Sequence, residues 1–451
     1  MRANRLAVIA LYLLVSAGMT LLTSSLRFDR DARSCLAAML DGTAHRPFVM
    51  RRLVPDTLRM LTSWTPIAWQ KSMVKAIETL PPPLPAWLLG RIPQAAYAHL
   101  LLVISVWACY FGMLLCWRML LRAYLGLSTL HALWLPVLGL GLVYPLLNWR
   151  HGVHVYDPAT LLLYSLALWA LLRQKWWLYG LIFALATWHK ETALLLIVWW
   201  LIATVHPLPT GSPRLRGEPP SELGFPCPQE EPKGAGKGTV MRYKNAGSQE
   251  NFFLTRGMES PLTPTLSPLS KGGEGREWGD SACEKPPLRV PNGCGWWTLI
   301  RPKGGGGGNL KARAVGALAM GLFYLAVRLW LGWRYRHNEG SLLEFWLLKE
   351  NLPLLLSLFT EFGWRQVRFL LILAVAIGLP AWGWRTKPLL LRRMLLVGLV
   401  LFSPFWLLFG ILDEFRALLE LYPLWLMLCV PAGYSLPSST ATAPSGTVSR
   451  S

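Results

Sequence analysis

Apolar residues run through this chain in long blocks rather than in the amphipathic patterns of water-soluble domains. Leu6–Leu26, Tyr97–Trp117, Leu125–Leu147, Ala312–Trp333, Val367–Trp384 and Met394–Leu412 each approach the roughly 20 residues that cross a bilayer core. Two shorter blocks, Pro158–Leu172 and Phe415–Val430, follow polar loops. Trp176–Val205 is ambiguous by length. As one helix it would run about 45 Å, and as two half-length helices each would run near 20 Å, at 1.5 Å per residue.

Basic residues resolve the ambiguity. Arg2 and Arg5, Arg118 and Arg122, Arg173 and Lys175, and the cluster Arg385, Lys387, Arg392, Arg393 flank apolar blocks as cytoplasmic turns do. For all of them to share one side, Trp176–Val205 must cross twice, with His189–Thr192 at the outer tip. The pattern therefore predicts an all-α polytopic membrane protein of about ten transmembrane helices. Both termini lie inside, Arg27–Ala96 and Arg334–Arg365 are outer segments, and a cavity opens on the outer face. Residues 46–56 read as an interfacial amphipathic helix broken at Pro55, and Leu342–Phe359 as a second interfacial helix.

The chain divides into an N-terminal bundle, 1–205, with its outer loop at 27–96, and a C-terminal bundle, 311–434. Between them lies a low-complexity insertion, 206–310, and after them a Ser/Thr/Pro/Ala-rich tail, 435–451. The insertion is dense in Pro, Gly, Ser and charge, so it is expected to be disordered, being unable to bury enough apolar surface to offset ordering entropy. Its run Ser260-Pro261-Leu262-Thr263-Pro264-Thr265-Leu266-Ser267-Pro268, followed by Lys271-Gly272-Gly273-Glu274-Gly275, resembles a bacterial intergenic palindromic repeat read in frame. That resemblance implies an acquired segment that impairs this copy. Gly304–Gly308 lacks the Gly-Lys-Ser/Thr ending of a phosphate loop and receives no chemistry.

Composition agrees with the membrane reading: 53% of the 451 residues are hydrophobic and 15% charged, below the roughly 25% charged of soluble domains. The net charge of +21 follows from flanking Lys and Arg, with no basic stripe on a soluble module, so it does not point to nucleic acid. The seven cysteines show neither CxxC nor framework spacing and read as small apolar fillers. Leu6–Leu26 is too long for a usual signal-peptide core and reads as an uncleaved span.

Polar residues collect on the predicted outer side. Asp29 and Asp31 follow the first span; carboxylates at i and i+2 can share a divalent cation or supply a general base, and Arg27, Arg30 and Arg33 equally suit them as partners in a solvated turn. Arg46, Arg51 and Arg52 run against the positive-inside trend, and guanidinium groups suit bidentate phosphate binding as well as headgroup anchoring. His151, His154 and Asp157 are ligand types, but Gly152 and Pro158 argue against a helix holding them together, so no metal site is assigned. Asp157 reads as a cavity carboxylate or simply as a cap of the next span, and the two roles are not exclusive.

His189, Lys190, Glu191 and Thr192 interrupt an apolar run, where each ionised residue costs about 2.5–3.5 kcal/mol on insertion scales. They are expected to face a wet cavity or each other. Glu191 has Lys190 and Arg416 as available partners. Asp413 and Glu414 suit the positive end of the last helix, and Glu420, two turns inside it, has Arg416 at i−4.

Arg46-Pro47-Phe48 with Arg51-Arg52-Leu53-Val54-Pro55, Tyr156-Asp157-Pro158, Lys190-Glu191-Thr192 and Asp413-Glu414-Phe415-Arg416, in this order and on one side, resemble the polytopic GT-C glycosyltransferase superfamily. The resemblance spans about Leu6 to Val430 without His206–Leu310. It implies transfer of a sugar from a polyprenyl-phosphate donor on the extracytoplasmic side of a bacterial inner membrane. It also implies a catalytic acid in the first outer loop, Asp29 or Asp31, although this chain interposes Arg30 between the two. Asp157 and Glu191 are further catalytic candidates, and Arg46, Arg51, Arg52, Lys190 and Arg416 are the phosphate- or lipid-binding ones. His189, Thr192, Asp413, Glu414 and Glu420 support them. The expected partners are the lipid-linked donor and membrane lipid, not nucleic acid. Two other classes fit the same cavity: a transporter or flippase of lipid-linked glycan, and a structural member of a polysaccharide-export assembly.

Overall fold

A computed structural model of the chain describes residues 2–25, 32–90, 95–125, 127–147, 153–205, 310–341, 345–361, 363–410 and 415–430. The fold over these residues is entirely helical. In chain order the helices are α1 (Arg2–Ser25), α2 (Leu36–Asp41), α3 (Leu53–Trp64), α4 (Ile67–Glu78), α5 (Leu84–Leu89), α6 (Ala96–Leu125), α7 (Thr129–Leu147) and α8 (Asp157–Leu172). They continue with α9 (Trp176–His189), α10 (Leu194–Val205), α11 (Leu310–Arg334), α12 (Leu352–Thr360), α13 (Trp364–Ala381), α14 (Leu389–Phe409) and α15 (Tyr422–Cys429).

Five of these helices, α1, α6, α11, α13 and α14, are long and apolar enough to cross a membrane. Helices α7, α8, α10 and α15 carry shorter apolar stretches. The pattern that makes them is apolar on all sides, so helix faces are distinguished by what they touch rather than by amphipathicity. Buried polar side chains tie them together: the Tyr12 hydroxyl of α1 donates to the Leu133 carbonyl of α7 at 3.0 Å. On α6, Trp117 Nε1 donates to Ser165 Oγ of α8 at 2.8 Å.

Trp176–Val205 folds as a hairpin of two short helices. The Trp176 and Trp200 rings lie 4.7 Å apart, and the Tyr179 hydroxyl donates to the Leu196 carbonyl at 2.5 Å, so α9 and α10 run antiparallel. A 3-10 turn, Glu191–Ala193, makes the tip. At 1.5 Å per residue, their 14 and 12 residues give about 21 and 18 Å.

Helix α11 packs antiparallel to α10. Its first turn reaches the end of α10, where Arg313 donates to the Thr204 carbonyl, and its later turns reach the hairpin tip, where the Tyr324 hydroxyl donates to the Glu191 carbonyl at 2.7 Å. One apolar core takes residues from Val8 to Val430, so the bundles on either side of the insertion form a single body. The insertion itself, and the tail, lie outside the described residues.

Since α10 ends where α11 begins, residues 206–309 interrupt a connection that a handful of residues can make. Replacing them with a six-residue Gly/Ser linker (about six, a typical helix–helix connection) is expected to leave helical content unchanged. Stability should be equal or up to about 2 kcal/mol higher, because each halving of an unpacked loop recovers about 0.6 kcal/mol of closure entropy. Circular dichroism and thermal unfolding in detergent check this; loss of the cooperative transition would show that the segment is required by the fold.

Three local expectations change. Pro55 does not break a helix but sits in the first turn of α3, where its missing N–H has no intrahelical partner to lose. The last block divides into a 3-10 stretch, Phe415–Leu421, and the α-helix Tyr422–Cys429. The proposed interfacial helix at Leu342–Phe359 is a π-turn, Leu347–Asn351, leading into α12, with residues 342–344 outside the described residues. Asn351 holds this turn by donating to the Leu407 and Gly410 carbonyls, both at 2.7 Å.

Candidate functional site

The hairpin tip meets the segment 46–56, the start of α8, the later turns of α11 and the Phe415–Leu421 stretch at one end of the bundle. Backbone contacts fix this meeting. The Arg52 amide donates to the Trp188 carbonyl at 3.1 Å, and the Arg46 amide donates to the Glu339 carbonyl at 2.8 Å. Trp188 also stacks on Trp330 of α11 at 5.3 Å and donates from Nε1 to Asp56 at 3.1 Å.

Consecutive tip residues reach different elements. Lys190 Nζ lies 2.6 Å from Glu420 Oε1, with both side chains buried. The Thr192 hydroxyl donates to the same oxygen at 2.8 Å. Glu191 points elsewhere and accepts from two guanidinium groups, bidentately from Arg51 and at 3.0 Å from Arg328 Nη2. Burial works against the Arg51 charge, but the Glu191 carboxylate beside it prevails and holds the guanidinium protonated above its ordinary range.

Tyr156 is the aromatic floor of this cluster. The Arg51 guanidinium lies 4.4 Å from its ring centroid and Lys190 Nζ lies 5.9 Å away, while the His154 ring stacks on it at 5.1 Å. Cations over an aromatic face are favoured by the ring quadrupole. His189 Nε2 sits 2.9 Å from the Tyr156 carbonyl, which can only accept, so this nitrogen carries the proton. Asp157 is fully buried, and its Oδ2 accepts the His154 backbone N–H at 3.0 Å. The carboxylate thus closes the turn before α8 instead of capping the helix amides after it.

Arg52 is wholly engaged. It bonds Asp56 and donates from Nη1 to the Met39 carbonyl at 2.7 Å. Among the described side chains the cluster is therefore charge-balanced: Arg51, Arg52, Lys190 and Arg328 face Asp56, Asp157, Glu191 and Glu420. In a low-dielectric setting such balance is what allows so many charges to be kept from water.

Arg46 differs from these arginines. It is half-buried, its Nε is buried without a hydrogen-bond partner, and it makes no ion pair among the described residues. Its backbone presses against Gly340, whose φ of 90° and approach to the Arg46 carbonyl leave no room for a Cβ. Gly340 in turn borders a cavity of about 550 Å³ whose other walls include Arg33, Ser341, Phe345, Trp346 and Lys349. Among the described residues that line it are two cations and no carboxylate, and Lys349 stands on the π-turn, a geometry often found at functional sites. Ser34, next to Arg33, lies 3.2 Å from His154 Nδ1 and links the cavity rim to the cluster.

The structure thus brings together Arg51, Arg52, Asp157, His189, Lys190, Glu191, Thr192 and Glu420, with Arg46 beside the neighbouring cavity. Asp29, Asp31, Asp413 and Glu414 lie outside the described residues, as does the Arg416 side chain. Glu420 pairs with Lys190, its expected i−4 partner Arg416 having its side chain outside the described residues, and Glu191, for which Lys190 or Arg416 was the expected partner, pairs with Arg51 and Arg328. Arg328 and Asp56 were not singled out from the sequence, and Tyr156 only as part of Tyr156-Asp157-Pro158. Arg328 carried the signal that drew attention to Lys190, an ionisable residue inside an apolar run. Among the described residues no group of three or more His, Cys, Asp or Glu side chains is placed to hold a metal ion. The chain matches no protein-family model, and neither curated proteins nor solved structures show a significant match to it.

Proposed function

We propose that this chain is a membrane-embedded glycosyltransferase that moves a sugar from a polyprenyl-phosphate donor to an acceptor hydroxyl at the clustered end of a ten-span bundle, on the extracytoplasmic side of a bacterial inner membrane. The observation that carries this reading is Arg46, half-buried and without an ion pair among the described residues, whose backbone adjoins Gly340 at the wall of a cavity lined by Arg33 and Lys349. A phosphate anion needs surplus positive charge, and the buried cluster next door has none to spare.

In this reading the donor phosphate rests against Arg46, Arg33 and Lys349, with Phe345 and Trp346 as apolar walls. A carboxylate of the first outer loop, Asp29 or Asp31, removes the acceptor proton as the acceptor oxygen bonds to the anomeric carbon. The bond from that carbon to the phosphate oxygen breaks, and its electron pair leaves with the phosphate, whose charge the arginines stabilise. The configuration inverts. Glu191, held between two guanidinium groups, is favoured as the ionised form and serves to orient Arg51 and Arg328 rather than to accept a proton.

The test is transfer of radiolabelled hexose from a polyprenyl-phosphate hexose by the protein in nanodiscs. Asp29→Asn or Asp31→Asn should lower the rate by about 10²-fold or more, the range of general-base contributions. Arg46→Met should weaken donor binding. Absence of transfer from every such donor, in both the full chain and the variant lacking 206–309, would reject the enzyme. Movement of lipid-linked glycan across vesicles that survives both aspartate changes would establish a flippase instead.

A further inference from the structure

Helices α3 and α4 meet at Thr65-Pro66 in a sharp elbow, and the outside of this elbow is apolar. Trp64 is 71% exposed, Ile67 69% and Trp69 65%, with Met60 and Met73 beside them. The inner face is accounted for: Val74 and Ile77 pack on Leu89, Ala96, Tyr97 and Leu100. The outer face is covered by nothing among the described residues.

The level of the elbow in the molecule indicates its neighbour. Thr65 Oγ1 accepts from the hydroxyl of Tyr97, the second residue of α6, at 3.1 Å. His99, one half-turn on, sits 3.0 Å from the Leu88 carbonyl and brings α5 to the same level. Helix α6 has 30 residues and spans about 45 Å, against a hydrocarbon core of about 30 Å. Its first turns therefore stand at the boundary between acyl chains and water. Exposed Trp at that depth is what the interface favours. The elbow also carries exposed Arg59, Lys71 and Lys75 against one carboxylate, Glu78. An apolar face rimmed by cations suits an anionic lipid surface.

We propose that the α3–α4 elbow docks into the headgroup layer of anionic phospholipid and that this docking sets the position of Arg51 and Arg52. Helix α3 is the lever. Its N-terminal end carries both arginines and, through Asp56, grips Arg52 and Trp188. Its other end is the elbow. This inference depends on the chain lying in a membrane and not on the transferase reading, and its test uses no activity.

The full chain carrying p-benzoylphenylalanine in place of Met73 would be photolysed in nanodiscs of equimolar phosphatidylcholine and phosphatidylglycerol, and adducts read by mass spectrometry. The expected result is a phospholipid adduct enriched in phosphatidylglycerol, and none from the same probe at the inward-facing Val74. Lys71→Gln/Lys75→Gln should lower the enrichment by about fivefold per lysine, from the roughly 1 kcal/mol that each contributes near an anionic surface. Trp64→Ser/Trp69→Ser should abolish the adduct and raise hydrogen exchange over residues 51–56. A crosslink between two copies of the chain, or a lack of lipid adduct at 73 when a probe at the exposed Leu318 of α11 gives one, would overturn the docking. Unchanged exchange over 51–56 after loss of the adduct would overturn the lever.

Discussion

Replacing Glu420 by leucine is expected to destabilise the bundle by about 3–5 kcal/mol, and replacing Lys190 by methionine in the same variant to recover most of that loss. Glu420 has no exposed surface and accepts from both Lys190 and Thr192. Removing it alone leaves a buried ammonium without its counter-ion, and breaking a buried pair costs about 3–5 kcal/mol where replacing the whole pair by apolar groups is often neutral. The comparison isolates the pair, because the apolar double variant lacks the charge that the single variant strands. Unfolding in detergent, analysed as a double-mutant cycle, should give a coupling near the upper end of the 0.5–3 kcal/mol seen for contacting residues. If the double variant is as unstable as the sum of its parts, Lys190 and Glu420 act independently and the geometry has misled.

Which parts of this arrangement were legible in the sequence follows from the range of the forces involved. The interruption of an apolar run by Lys190 and Glu191 is a local cost, readable from the chain alone. The α9–α10 hairpin was readable because the positions of Arg173, Lys175 and the 385–393 cluster constrain how many times the chain turns between them. The pairings were not readable. Glu191 finds Arg51 and Arg328 at separations of 140 and 137 residues, and no rule of helical spacing points across such distances. The i−4 partner offered for Glu420 presumes an α-helix from Phe415 onward, whereas the structure places Glu420 in a 3-10 stretch, where i−3 replaces i−4 as the facing position. Asp157 shows the same limit on a smaller scale: its carboxylate turned back to His154, a choice made by the loop and not by helix capping. The elbow of α3 and α4 escaped notice since its meaning lies in its height along α6, a three-dimensional quantity.

The second large effect belongs to Glu191, and it separates a structural clamp from a catalytic one. Its carboxylate is the bond between three pieces of chain: Arg51 just before α3, Arg328 on α11, and the hairpin tip itself. Glu191→Gln would leave Arg51 and Arg328, both about nine-tenths buried, facing each other without the anion that reconciles them. The Glu191 side chain is 38% exposed, so water screens part of the repulsion and the stability loss should be about 1–3 kcal/mol, below that for Glu420. The more telling variant exchanges charges, Glu191→Arg with Arg328→Glu. It keeps an ion pair between tip and α11 but sets Arg51 beside a new arginine. A pure clamp would regain at least half of the lost stability and of any transfer activity together. A site in which Arg51 must be aimed by Glu191 would regain stability while transfer stays depressed by about 10²-fold, the scale on which misplacing a group by an ångström acts. Hydrogen exchange over residues 51–56 reports the first quantity and hexose transfer the second. If both recover in step, Glu191 is a clamp that does not aim Arg51 for transfer, although Arg46 and the cavity beside it would be untouched by that result.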